Sequence, residues 1–253
     1  MKPFARKGIT VGEGMPKTIV PIMPRDLDAA LEAADDAVRA GADCVELRLD
    51  FCDEVRDECA MAKLCARLAG HLEGTLLLVT FRSKDQGGQE TLPPDAYERL
   101  IGAVASVGGV DMVDVEIGFG DEAVSRMCAL ICEAGAVPVV SHHDFQKTPE
   151  EGELEALLAR MERLGAGVCK FAVMAADTAD ALRVMQATER YSRISQVPLL
   201  TMAMGPAGGA TRVLGELFGS SMTFCALGRA SAPGQVQIGQ ARALMQGIHE
   251  ISR

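Results

Sequence analysis

Short runs of aliphatic and β-branched residues alternate along the chain with longer stretches in which apolar positions recur at helical spacing. The runs predict strands over Thr18–Met23, Cys44–Leu49, Leu76–Phe81, Met112–Ile117, Val137–Ser141, Val168–Val173, Pro198–Met202 and Met222–Leu227. The stretches between them predict helices over Asp26–Ala40, Asp57–Leu72, Pro94–Ser106, Asp121–Ala134, Pro149–Leu164, Thr178–Tyr191 and Ala210–Phe218, with Gly239–Ile251 closing the chain. Asp26 and the pair Thr148-Pro149 suit helix starts, and Gly41, Gly135 and Gly165 suit helix stops. Eight such units in 253 residues fit an α/β architecture, a (β/α)8 TIM barrel spanning 1–253 as a single domain. A doubly wound open sheet fits less well, because no G-x-G-x-x-G follows the first strand and Val20-Pro21-Ile22-Met23-Pro24 makes a poor dinucleotide turn. Before the first barrel strand, Gly8, Gly12 and Gly14 separate short apolar pairs, which predicts a hairpin closing the bottom of the barrel.

In such a barrel the chemistry sits at the C-terminal ends of the strands, so the polar residues ending each run are the candidates. Strand two ends Cys44-Val-Glu46-Leu-Arg48-Leu-Asp50, and the two-residue period puts Glu46 and Arg48 on one face with Leu47 and Leu49 on the other. The leucines face the helices, so the charged pair faces the interior. Strand three ends at Arg82, strand four at Asp114-Val-Glu116, strand five at Ser141-His142-His143-Asp144 and strand seven at Met202-Ala-Met204. Strand six carries Lys170 inside an apolar run, where burial strips water from the ammonium and favours an amine nucleophile for carbonyl carbon. A strand-end lysine reaching solvent is the plainer reading of that residue alone. Glu46 and Arg48 could likewise be a structural ion pair, and Met202 and Met204 ordinary packing. Carboxylates, guanidiniums, an imidazole and an amine around one mouth exceed what structure alone requires.

The last two loops add an anion site. Met204-Gly-Pro-Ala-Gly-Gly-Ala-Thr-Arg212 is a glycine-rich turn into a helix, and Ser231-Ala-Pro-Gly-Gln235 is a polar loop after strand eight. In many barrels this corner binds phosphate, but the same parts hold a carboxylate: Arg212 offers a bidentate fork, and Ser231 and Gln235 supply neutral hydrogen bonds.

Composition narrows the partners. A net charge of -10 without any basic block argues against nucleic acid and against anionic membranes. No apolar stretch approaches the length of a membrane span, and Met1-Lys-Pro-Phe-Ala-Arg-Lys7 lacks a signal-peptide core, so a cytoplasmic location is expected. The eight cysteines contain no C-x-x-C pair, so neither metal nor disulfide use is expected, and Cys128 and Cys132, four apart on a predicted helix, read as small apolar residues.

These residues resemble one family specifically, the type I 3-dehydroquinate dehydratases of the shikimate pathway. The resemblance covers most of the chain. It rests on Glu46-Leu-Arg48 with Asp50, Phe81-Arg82-Ser83 with Gly87-Gly88, Asp114-Val-Glu116, His143-Asp-Phe145 with Lys147-Thr-Pro149, Lys170-Phe-Ala-Val-Met174, Arg212 with Gly215-Glu216 and Phe218-Gly-Ser220, and Ser231-Ala-Pro-Gly-Gln235. It implies a (β/α)8 barrel, usually a homodimer, that uses no metal and no cofactor. It implies a lyase that converts 3-dehydroquinate to 3-dehydroshikimate, the third step of chorismate and aromatic amino-acid biosynthesis. In that reading Lys170 forms an imine with the substrate ketone and His143 moves the protons. Glu46, Arg48, Arg82, Met202, Met204, Arg212, Ser231 and Gln235 bind the substrate, and Arg48 would help keep Lys170 unprotonated.

Three positions depart from the family pattern. Gln86 stands where a carboxylate often lies beside the histidine, Pro21 where some members carry a serine, and Ala175 where a proline usually follows the lysine strand. Gln86 can orient the imidazole of His143 but cannot stabilise its cation as a carboxylate would. Two competitors remain: a class I aldolase acting on a sugar phosphate, which would also use a barrel lysine imine, and a barrel that binds a small anion without turnover.

Overall fold

The computed structural model describes residues 2–228 and 230–252. A two-stranded antiparallel hairpin, β1 (Phe4–Arg6) and β2 (Ile9–Val11), precedes the barrel. The barrel then runs β3 (Lys17–Ile22), α1 (Leu27–Arg39), β4 (Cys44–Arg48), α2 (Glu58–His71), β5 (Leu76–Thr80), α3 (Pro94–Ala105), β6 (Met112–Glu116) and α4 (Asp121–Glu133). It continues with β7 (Val137–Asp144), α5 (Glu151–Arg163), β8 (Val168–Met174), α6 (Thr178–Ser192), β9 (Leu199–Met204), α7 (Gly215–Phe218), β10 (Met222–Ala226), the two-residue β11 (Val236–Gln237) and α8 (Ile238–Ile251). Strands β3 to β9 pair in parallel in sequence order, and β10 pairs with β3. The ring closes between β9 and β10 through a short seam. There Ser221 N donates to Leu199 O at 2.7 Å, and the Ser220 hydroxyl accepts from Thr201 N at 3.1 Å in place of a backbone partner.

Strand alternation sorts the side chains as expected. Val45, Leu47 and Leu49 pack outward into the helix layer, where most of the apolar core lies. Inward-facing Ile19, Cys44, Leu76, Leu78, Met112, Val139, Val168 and Leu200 make an apolar floor, and Val11 of the hairpin joins them. Above that floor the inward positions turn polar. Lys7 pins the hairpin beneath the barrel, donating to Leu72 O at 2.8 Å and Thr75 O at 3.1 Å and pairing with Asp111 at 2.9 Å. Asp26 and Asp57 cap their helices through the amides of Ala29 and Ala60, and Gly41 ends α1 in the left-handed region at φ 83°.

Four boundaries differ most from the sequence pattern. Strands β7 and β9 run on to Asp144 and Met204, because their polar or methionine ends still pair with neighbours (Asp144 with Val173, Met204 with Met174). Pro149 lies outside its helix: α5 starts at Glu151, with Glu150 and Glu153 forming a reciprocal cap. The helix expected over 210–218 is only Gly215–Phe218. The glycine-rich run before it is a 3-10 turn over Pro206–Arg212 that packs its backbone against β9, where a Cβ on Gly208 would lie 2.3 Å from Ala203 O.

Candidate active site

The polar upper layers of the barrel open into a pocket of about 530 Å³. Lys170, His143, Gln86, Glu46, Arg48, Arg82, Met202, Met204, Arg212, Ser231 and Gln235 all line it. Gly87, Phe145, Ala172, Phe224 and Ala232 complete the wall and were missed from the sequence. Strand period could have found three of these, since Phe145 and Ala172 lie two residues beyond His143 and Lys170, and Phe224 two beyond inward-facing Met222.

Lys170 is buried, at 2% exposure. Its Nζ lies 2.9 Å from Asp114 Oδ2, 3.7 Å from Glu46 Oε1 and 4.7 Å from the centre of the Phe224 ring. Asp114 also accepts from Ser141 Oγ at 2.7 Å and stands 2.8 Å from Arg82 Nη2. Burial pushes the Asp114 carboxyl upward, but the charges of Arg82 and Lys170 and the hydrogen bonds from Ser141 and Lys170 outweigh it and hold the group below its ordinary range. Asp114 was visible at the end of its strand, yet its partnership with Lys170 was not.

Two of the pocket's arginines are paired within the protein. The partners gathered around Lys170 are carboxylates, whereas Arg48 is turned to Asp50 in a bidentate pair, both bonds 2.7 Å. Arg82 is committed inside the site. It donates through Nη1 to Glu116 at 2.8 Å and to Ser141 Oγ at 3.0 Å, and the facing carboxylates Asp114 and Glu116 hold its charge against burial. It borders the pocket.

Gln86 lies directly beside His143. Its Oε1 accepts from the His143 backbone amide at 3.0 Å and sits 3.0 Å from the ring Nδ1. Because the backbone N–H can only donate, the facing amide atom is the oxygen, and Nδ1 must then carry the proton. Nε2 of the neutral ring is left with its lone pair. Burial, and then the cationic groups of Arg82, Lys170, His142 and Arg48, lower the His143 pKa well below its ordinary value. The imidazole is therefore neutral at pH 7 and able to accept a proton. Gln86 reaches it from a short turn that ends at Gly87 in the left-handed region, φ 88°, against Phe145, whose ring would meet a Cβ there at 2.6 Å.

Arg212 is buried and has no carboxylate partner among the described residues. Nη2 donates to Pro233 O at 3.1 Å, Nη1 lies 3.6 Å from Met202 Sδ, and Nε has no partner among the described residues. Burial lowers its pKa to about 10. A guanidinium desolvated in this way lacks the anion that would stabilise it, and the pocket is where one can enter. Ser231 and Gln235 are paired with each other, Nε2 of Gln235 donating to Ser231 Oγ at 2.8 Å. Among the described residues no group of three or more His, Cys, Asp or Glu side chains could hold a metal ion. Burial pushes the Cys128 thiol up to about 12, so it stays protonated.

The family model for type I 3-dehydroquinase matches residues 18–252. The chain belongs to the type I 3-dehydroquinase family. The 3-dehydroquinate dehydratase of Klebsiella pneumoniae subsp. pneumoniae is 42% identical over 244 residues, covering 94% of this chain and 96% of that one. That of Bacillus subtilis is 36% identical over 248 residues, covering 98% and 97%. Among solved structures, the 3-dehydroquinate dehydratase of Geobacillus kaustophilus superposes with a TM-score of 0.96 at 34% identity, over 100% of this chain and 98% of that one. The type I 3-dehydroquinate dehydratase of Clostridium difficile, crystallised with covalently modified comenic acid, gives 0.93 at 33% identity, over 98% of each chain. Family membership agrees with the barrel and with a pocket at the C-terminal ends of its strands.

Proposed function

We propose that the protein is a hydro-lyase of the shikimate pathway, converting 3-dehydroquinate to 3-dehydroshikimate through an imine on Lys170. The observation that carries this reading is the pairing, in one pocket, of a buried lysine beside a neutral histidine with a buried guanidinium that lacks an anion. Lys170 passes its ammonium proton to His143 Nε2 and the neutral Nζ attacks the substrate ketone; His143 returns that proton to the former carbonyl oxygen, which leaves as water as the protonated carbon–nitrogen double bond forms. His143 Nε2 then takes a proton from the adjacent carbon. The electron pair runs into the iminium and returns to expel the hydroxyl on the carbon bearing the carboxylate, to which His143 delivers the proton. Hydrolysis of the imine frees the product and the lysine.

Arg212, with Ser231 and Gln235, takes the carboxylate, while Glu46 and Arg48 hold hydroxyls and Met202 and Met204 supply apolar walls. In this reading Arg82 holds Asp114 and Glu116 in place and does not clamp the substrate. The cytoplasmic homodimer implied by the family belongs to the same proposal, and sedimentation at twice the chain mass is its expected signature. A sugar-phosphate aldolase would need a dianion site at the last two loops. Among the described residues Arg212 is the guanidinium of those loops in the pocket wall, and its flat fork matches a planar carboxylate.

Mixing the protein with 3-dehydroquinate and following enone absorbance tests the reading: 3-dehydroshikimate should appear in equal amount to substrate lost. Carbon–carbon cleavage of a sugar phosphate would instead mark an aldolase, and saturable binding without turnover a binding protein. Arg212→Ala removes a bidentate charged contact, which should cost about 2–4 kcal/mol of binding, tens- to several-hundred-fold in affinity. Unchanged affinity in calorimetry would place the carboxylate elsewhere.

Gln86 bears on the pH profile. The acidic limb reports protonation of the base, so the lowered pKa of His143 puts that limb below the ordinary histidine range. A carboxylate at position 86 would face Nδ1–H, favour the charged ring and raise its pKa. In Gln86→Glu the acidic limb should move to higher pH. A limb that stays or moves downward in a rate-against-pH comparison would remove Gln86 from this role.

A further inference from the structure

Ser231 and Gln235 are carried by a loop that leaves β10 and returns beside it. On its return β11 pairs in parallel with β10, Val236 opposite Cys225 and Gln237 opposite Ala226, so the two ends of the loop meet. Gln237 stands at the N-cap of α8, yet its side chain makes no cap hydrogen bond. It turns instead to one residue across the neck. Nε2 donates to Gly228 O at 2.9 Å and Oε1 accepts from Gly228 N at 3.2 Å, so the side-chain amide copies a two-bond backbone pairing. Gly228 accepts this in the left-handed region, φ 70°.

The loop has a second anchor at its far end. Pro233 O accepts from Arg212 Nη2 at 3.1 Å and from Gly205 N at 3.3 Å. Gly234 lies so close to Gly205 that a Cβ on it would be 2.4 Å from Gly205 O. Between the anchors Ser231 and Gln235 bond each other, Ser231 N to Gln235 Oε1 at 2.8 Å as well as the side-chain pair. The far anchor uses Arg212, a group already assigned to substrate. The neck depends on Gln237, which does not line the pocket.

We propose that Gln237 is a positioning residue for substrate binding: by closing the neck through Gly228 it presents Ser231 and Gln235 to the pocket in a preorganised geometry. The inference rests on the proposed function, in that Ser231 and Gln235 contact the substrate. Ordering these residues before the substrate arrives removes an entropic cost from binding, and opening the neck restores that cost. The effect falls on affinity, since Gln237 touches neither Lys170 nor His143.

The test compares full-length Gln237→Ala and Gln237→Glu with the parent. The glutamate keeps an acceptor for Gly228 N–H and loses the donor to Gly228 O. Loss of two modest hydrogen bonds should raise KM for 3-dehydroquinate about 10-fold in Gln237→Ala, with kcat within about 2-fold and an intermediate KM in Gln237→Glu. In the ligand-free protein, exchange of the Gly228 amide should quicken about 10-fold in Gln237→Ala at unchanged thermal midpoint. That arm needs no substrate, so failure of the parent to turn over 3-dehydroquinate would sink the functional reading while exchange still decides the neck. Unchanged exchange at Gly228, or a fall in kcat that matches the whole loss in kcat/KM, would overturn the role assigned to Gln237.

Discussion

Lys170→Ala should lose turnover of 3-dehydroquinate down to the uncatalysed rate. Among the described residues of the pocket wall the amine is the group suited to form a bond to the ketone carbon, and without the imine the adjacent proton has no electron sink to leave behind. Folding should survive the change. Asp114 retains Arg82 at 2.8 Å and Ser141 at 2.7 Å after the lysine is gone, so one charged partner and one hydroxyl still satisfy its buried carboxylate. Steady-state assays on protein with native circular dichroism check it. Retained turnover in Lys170→Ala would remove the covalent mechanism from this site.

His143→Ala should slow elimination by roughly 10²–10⁴-fold while leaving imine formation measurable. The truncation is unusually local for a buried residue. Gln86 Oε1 also accepts the His143 backbone N–H at 3.0 Å, and that bond does not depend on the ring, so the turn carrying Gln86 and Gly87 keeps an anchor on β7. What disappears is Nε2, the neutral ring nitrogen assigned to the proton transfers. Single-turnover measurements separate the two steps: an imine that forms and persists is the expected pattern. A rate within a few-fold of the parent would assign the proton transfers to another group.

The barrel was legible because short apolar runs alternate with longer stretches that carry an apolar helical stripe. Val45, Leu47 and Leu49 against Glu46 and Arg48 told inside from outside before any contact was known, and Asp26 and Gly41 marked both ends of α1. Strand ends were less legible where polar residues such as Asp144 stay in the ladder for the sake of the site. Residues 210–212, read as the start of a helix, instead end the 3-10 turn over Pro206–Arg212, whose backbone lies against β9.

The roster of pocket residues was legible, and the pairing among them was not. Arg82 enters the sequence reading as a substrate contact that the resemblance implies. Only the neighbouring strand, which sets Asp114 and Glu116 opposite it, reveals that its charge is spent inside the protein. Arg48 is similar, its fork closed by Asp50 two residues on. Placing Gln86 beside His143 needed the family resemblance, because a loop has no period to say which way a side chain turns. The neck formed by Gln237 and Gly228 had no sequence signal at all: the two residues are joined by side-chain chemistry across a loop whose ends only the fold brings together.

The central claim is covalent chemistry at one lysine, and trapping reads it directly. The protein is mixed with 3-dehydroquinate, reduced with borohydride and digested, and the modified residue is located by mass spectrometry. The account predicts one reduced adduct per chain, on Lys170, absent from Lys170→Ala. An adduct on Lys84 or Lys147, with Lys170→Ala still active, would contradict it.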